Sequence, residues 1–173
     1  MPINIYQIKL NKDRVPELLK ERSVDYEESV IIDDSETAAK LFEELFDLSN
    51  QAQEVTCLLA LNGCRRVVGA FEVCRGTATV SMAHPREIYQ RAILVGAVSI
   101  ILAHSHPSGL TVISEEDQRA TKKIISAGNV LSIPLDDFLI CAGGKFISTM
   151  HLKIDSDDHR PCKKMQGKSG LII

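Results

Sequence analysis

The sequence predicts an α/β (α+β) domain: a mixed β-sheet flanked by helices. Two short, almost wholly apolar runs, residues 55–61 and 98–103, have the length and character of buried strands. Residues 35–48 instead place Ala39, Leu41, Phe42, Leu45, Phe46 and Leu48 at helical spacing. The turn signal Asn62-Gly63 joins the first apolar run to a second strand-like segment, so strands and helices interleave along the chain.

Residues 1–34 read as an N-terminal extension, with an alternating strand over residues 4–10 and a short helix over residues 16–22. Ser35 is expected to cap the first helix, which runs to about Leu48. Glu54 opens the strand over 55–61. The return strand covers 66–74, and a third short strand 78–82. His84-Pro85-Arg86-Glu87 starts a second helix with Pro85 in the tolerated first turn, and Ile88, Ala92, Ile93 and Val95 form its buried face. After the strand ending at Ala103, a third helix begins near Ser114 and stops at Gly128. Strands over 136–142 and 145–149 follow, joined at Gly143-Gly144. The chain therefore divides into residues 1–34, a domain over 35–152, and a polar C-terminal tail over 153–173.

Composition narrows the function classes. The net charge of −3, from 20 Lys and Arg against 23 Asp and Glu, does not favour a chain built mainly to grip phosphate backbones. The five cysteines form no C-x-x-C pair, and those in strand-like segments read as reduced small hydrophobes. The longest apolar run, residues 92–103, contains Gly96 and Ser99 and falls well short of the about 20 residues a membrane helix needs. The N-terminus lacks the basic flank and apolar core of a signal peptide, so a soluble, cytoplasmic protein is expected.

The chemistry concentrates in His104-Ser105-His106-Pro107-Ser108-Gly109 and Ser114-Glu115-Glu116-Asp117. Side chains alternate along a strand, so His104 and His106 leave the same face while Ser105 points to the other. Asp117, in the first turn of the next helix, comes back toward the strand end. Two imidazoles and a carboxylate supply three zinc ligands and leave a fourth position for water, the pattern of a catalytic site. The bland reading of Ser114 and Asp117 is a capping box, which needs no metal. A zinc hydrolase also needs a base, and Glu54, a carboxylate at the entry of a core strand, is the best-placed candidate, with Glu72 in reserve.

Competing chemistries lack their residues. A nucleobase deaminase requires His-x-Glu and a Pro-Cys-x-x-Cys, both absent. Ser108 has no G-x-S-x-G setting and belongs to the turn. His84 reads as structural, and His151 and His159 stand at or in the tail. Nucleic-acid binding rests on Lys122, Lys123, Arg160, Lys163, Lys164 and Lys168, for which solvated charge is the simpler account.

Residues of about 35–152 resemble the RadC-like branch of the JAB/MPN (JAMM) metalloprotease superfamily. The likeness is carried by Glu54, Arg75-Gly76-Thr77, His84-Pro85-Arg86-Glu87, the two segments containing His104, His106, Ser114 and Asp117, and Asp136-Asp137. The resemblance implies an architecture related to cytidine deaminases, with Zn2+ held by His104, His106 and Asp117. It further implies Glu54 as general acid/base and Ser114 near the oxyanion formed during amide attack. The implied activity is metal-dependent hydrolysis of a peptide or isopeptide bond in a peptide or protein substrate. A DNA-repair accessory role or a metal-binding scaffold without turnover are the alternatives. Nothing in the sequence specifies an oligomeric state.

Overall fold

A computed structural model describes residues 2–25, 30–77 and 83–150. The described strands are β1 (Ile3–Leu10), β2 (Pro16–Val24), β3 (Val55–Leu61), β4 (Val67–Arg75), β5 (Ser99–Ser105), β6 (Leu135–Ala142) and β7 (Lys145–Ser148). The helices are α1 (Ser35–Phe46), α2 (Pro85–Leu94) and α3 (Glu115–Leu131). The strands form one mixed seven-stranded sheet in the order β2-β1-β4-β3-β5-β6-β7. Pairing is parallel for β1 with β4 and for β5 with β6, and antiparallel at the other joins.

Two apolar layers sandwich this sheet. On one face α1 packs Phe42, Leu41 and Leu45 against Cys57, Leu59, Ile101, Ala103 and Leu139. On the other, Ile88 and Tyr89 of α2 and Ile124 of α3 pack against Leu58, Phe71, Leu102, Phe138 and Ile140. Strands β3 and β5 are buried at every position, which is why their sequences read as continuous apolar runs rather than alternating ones. Burial also pushes the thiols of Cys57 and Cys141 up, that of Cys141 to about 12, so both persist as neutral, free thiols.

Five expectations are corrected. On α2, Ile88, Tyr89 and Ala92 form the buried face, while Ile93 is 55% exposed. Residues 16–22 belong to the strand β2, not to a helix. Asn11 builds a tight turn, its Oδ1 accepting from the amides of Asp13 (2.9 Å) and Val15 (3.0 Å), with Arg14 left-handed at φ 63°. That turn folds the segment back onto β1 from Leu10↔Pro16 to Ile3↔Val24, and the sheet overrides the local helical preference of the Leu-Leu-Lys-Glu-Arg run. Pro16 is the first residue of an edge strand, where its missing N–H costs nothing. The N-cap of α1 is Asp34, whose Oδ1 accepts from the Thr37 amide at 2.7 Å, and that bond holds the Asp34 carboxyl below its usual range. Ser35 donates to Asp137 Oδ2 at 2.6 Å instead, and α1 ends at Phe46, ahead of a left-handed Asp47.

The turn after β3 runs from Asn62 to Arg66, with Arg65 rather than Gly63 taking the left-handed conformation (φ 58°). Arg65 Nη1 pairs with Asp136 Oδ2 at 3.0 Å and its Nε donates to the Ile32 carbonyl at 2.6 Å, so this turn ties the segment before α1 to the start of β6. Finally, α3 continues through Gly128 to Leu131 and stops at left-handed Ser132 (φ 56°). Gly128 is a packing residue: a Cβ there would lie 2.3 Å from the Tyr89 hydroxyl and 2.6 Å from the Ile133 carbonyl oxygen. The turn at Gly143-Gly144 does use positive φ at both glycines, 53° and 73°. The strand expected over 78–82 and the tail lie outside the described residues.

These contacts make Gly128→Ala destabilising by roughly 1–3 kcal/mol, the cost of overpacking against backbone. Gly63→Ala, with nothing within 4 Å of the new Cβ, should stay within about 0.5 kcal/mol of the parent. Urea denaturation of the two variants checks the contrast.

Candidate metal centre

The site forms where the C-terminal end of β5, the N-terminal end of β3 and the N-terminus of α3 meet. Register does the first part of the work. Thr56 pairs with His104 across the β3–β5 ladder, so Glu54, just before β3, lies beside the strand end that carries both histidines. His106 extends β5 past its last residue, its amide donating to the Cys141 carbonyl at 2.8 Å. The chain then turns, Gly109 N–H bonding the His106 carbonyl at 3.1 Å with Gly109 at φ 75°. Residues 110–113 lead from there to the N-cap of α3.

At that N-cap the full capping box is present. Ser114 Oγ accepts from the Asp117 amide at 3.0 Å, and Asp117 Oδ2 accepts from the Ser114 amide at 2.8 Å and the Ser114 hydroxyl at 2.6 Å. The cap and the candidate site use the same residue without conflict, because the cap orients the Asp117 carboxylate toward the histidines. Asp117 Oδ1 lies 3.8 Å from His104 Nε2, and Oδ2 lies 3.8 Å from His106 Nε2. Glu54 Oε2 lies 3.8 Å from His104 Nε2, and its side chain is only 12% exposed. The two imidazoles meet edge to face, centroids 4.8 Å apart.

The outward nitrogens are also set. His106 Nδ1 lies 3.0 Å from the Leu110 carbonyl oxygen, which can only accept, so Nδ1 carries a proton and Nε2 is the nitrogen turned toward Asp117. His104 Nδ1 faces Thr56 Oγ1 at 3.5 Å. Burial, with a smaller contribution from His106, pushes the His104 pKa down to about 4 against the opposing pull of Asp117, so this ring is neutral at physiological pH. Two imidazoles with a polar partner at Nδ1 and Nε2 turned inward, beside two largely buried carboxylates, are a donor set that suits a divalent metal. Among the described residues, one ligand atom each from Glu54, His104 and His106 falls within 4.8 Å of the others, a cluster that could hold a metal ion. Asp117, the expected third ligand, lies outside that group although it faces both rings.

The other residues singled out in the sequence go elsewhere. Glu72 forms a two-pronged pair with Arg75 at 3.0 and 2.7 Å and, opposite Cys57, sits on the α1 face of the sheet, away from His104. His84 caps α2, its Nδ1 accepting from the Arg86 amide at 3.2 Å. His151 and His159 lie outside the described residues. Thr56 escaped attention in the sequence; its signal is a hydroxyl in an otherwise apolar strand, two residues after Glu54.

A model of the RadC-like JAB domain matches residues 32–154. The chain belongs to the RadC-like JAB domain family. Relatives of this RadC-like chain include UPF0758 proteins of Cyanothece sp., 42% identical over 70% of the chain, and of Acaryochloris marina, 40% identical over 70%. A UPF0758 protein of Clostridium beijerinckii is 40% identical over 64% of it. The matches cover 49%, 49% and 47% of those proteins, so the RadC-like chain spans about half the length of the curated relatives it matches. The hairpin of β1 and β2 precedes the matched residues, yet it adds two strands to the same sheet as the JAB domain.

The shifted His104 makes the metal-free RadC-like domain acid-sensitive. Below pH 6.5 the unfolded chain protonates this ring, while the folded chain resists until about pH 4. Stability tied to the neutral ring is therefore intact above 6.5 and falls by on the order of 3 kcal/mol as pH drops to 4. Urea denaturation of chelated protein across that window measures the slope, which His104→Asn should flatten.

Proposed function

We propose that this domain is a zinc-dependent hydrolase of the JAMM type, acting on a peptide or isopeptide bond. The observation that carries the reading is the convergence of His104 Nε2 and His106 Nε2 on the Asp117 carboxylate, both at 3.8 Å, with Glu54 equally close to His104. Asp117 faces both imidazoles through its two oxygens, which suits it to complete the ligand set with them. Glu54 comes to 3.8 Å of His104 and lies within 4.8 Å of a ring nitrogen of His106, near enough to the same point to exchange a proton with a group held there. When bound, Zn2+ would lower the pKa of a water toward neutrality and polarise a carbonyl oxygen.

The chain's own residues then divide the remaining work. Glu54 takes the proton from the attacking water and returns it to the leaving amine, its carboxylate being only 12% exposed and so meeting little bulk water. The first turn of α3 sets the positive end of a helix dipole beside the Asp117 carboxylate. In this arrangement the Ser114 hydroxyl donates to Asp117 Oδ2. For Ser114 to stabilise an oxyanion, that hydroxyl rotates away from Asp117 toward the substrate. The capping amide bond from Asp117 to Ser114 Oγ still holds the side chain in place during such a rotation. No helix among the described residues is long and apolar enough to cross a membrane.

Metal analysis of the purified protein, together with a screen of peptide and isopeptide substrates, tests the assignment. The parent should hold about one zinc per chain. His106→Ala and Asp117→Ala should each lose most of it. Glu54→Gln should keep the zinc and lose about 10²- to 10⁴-fold in turnover. If Glu54→Gln loses the metal while Asp117→Ala keeps it, the roles of the two carboxylates are reversed. Metal retained without turnover in every substrate class would leave the scaffold reading.

A further inference from the structure

We propose that Ser105 is the residue that positions Glu54, acting through the backbone from the opposite face of the sheet. The inference rests on the reading of Glu54 as the site's proton-transfer group.

Ser105 lies between the two histidines, so strand alternation points it away from them, toward α1, where it is 1% exposed. Its hydroxyl accepts from the Val55 amide at 2.9 Å and donates to the Gln53 carbonyl at 3.2 Å. These groups belong to the two peptide units that flank the Glu54 Cα. The remaining polar groups of the same two units are the Glu54 amide and carbonyl. The amide donates to the Thr77 carbonyl at 2.8 Å, and the carbonyl accepts from the Gly76 amide at 2.8 Å. All four backbone groups around Glu54 are thus bonded, two by the chain just after β4 and two by a single side chain of β5.

Fixing both peptide planes fixes φ and ψ of Glu54, and with them the direction in which its side chain leaves the backbone. The result is a carboxylate held 3.8 Å from His104 at a strand entry, a place where a chain otherwise frays. The clamp needs one donor and one acceptor on a short side chain. Ser, Thr and Asn have both, and Ala has neither. Because the hydroxyl touches none of the converging groups, removing it leaves the histidines and Asp117 in place and frees only the strand entry.

The test uses Co2+ as the probe, since its visible spectrum reports on groups that titrate near the ion. Ser105→Ala should still bind about one Co2+ per chain. Its spectral pH midpoint should move in the same direction as that of Glu54→Gln, by at least ~0.5 unit. Ser105→Thr or Ser105→Asn should bring the midpoint back to the parent value. In the metal-free protein, amide exchange at Val55 should quicken at least about tenfold in Ser105→Ala and slow again in the Thr or Asn variant. A parent-like midpoint in Ser105→Ala beside a shifted Glu54→Gln overturns the proposal, as does a shift that neither restoring variant reverses. A Glu54→Gln midpoint equal to the parent's, or no Co2+ uptake by the parent, instead overturns the reading of the site and the proposal with it.

Discussion

The pairing of β3 with β5 is the constraint on which the site depends. Both strands are buried on both faces, so their register is held by apolar packing above and below the sheet: Leu58 and Leu102 face one helical layer, and Leu59 and Ile101 the other. Once Thr56 stands opposite His104, the carboxylate of Glu54 and the two imidazoles have little choice of neighbours. A slip of one residue would turn His104 and His106 toward α1 and Ser105 toward the site. The precision of the polar cluster is therefore borrowed from the apolar core around it.

The second support is the start of α3. A capping box is ordinarily a device for satisfying free amides, and here it does that. It also locks the rotamer of Asp117, so the local rule that begins a helix and the long-range need for a carboxylate beside the histidines are met by one side chain. The structural and the functional readings of Ser114 and Asp117 are in this sense a single reading. The same economy appears at Ser105, whose hydroxyl completes the hydrogen bonding of a strand entry while setting the direction of Glu54.

Much of this was legible from residue order, for physical reasons. Fully buried strands have continuous apolar sequences, so β3 and β5 stand out, and a His-x-His at the end of one of them must present both rings on one face. What escaped was decided by distant partners. Residues 16–22 have the composition of a helix and become a strand because β1 is there to pair with. Gly128 resembles a helix stop, yet it is needed where Tyr89 and the Ile133 carbonyl press against α3. Glu72 stood in reserve behind Glu54 because its strand's alternation did not say which face it takes. Only the register puts one beside Arg75 on the far face and the other next to His104.

The central claim is that two imidazole nitrogens and carboxylate oxygen form a metal centre at this strand end. X-ray absorption at the zinc edge of the loaded protein addresses it most directly. The account predicts a first shell of nitrogen and oxygen at about 2.0–2.1 Å, with the outer scattering of two imidazole rings that His106→Ala reduces to one. A sulfur shell near about 2.3 Å, drawing on cysteine, or an oxygen-only shell with no imidazole scattering, would contradict it.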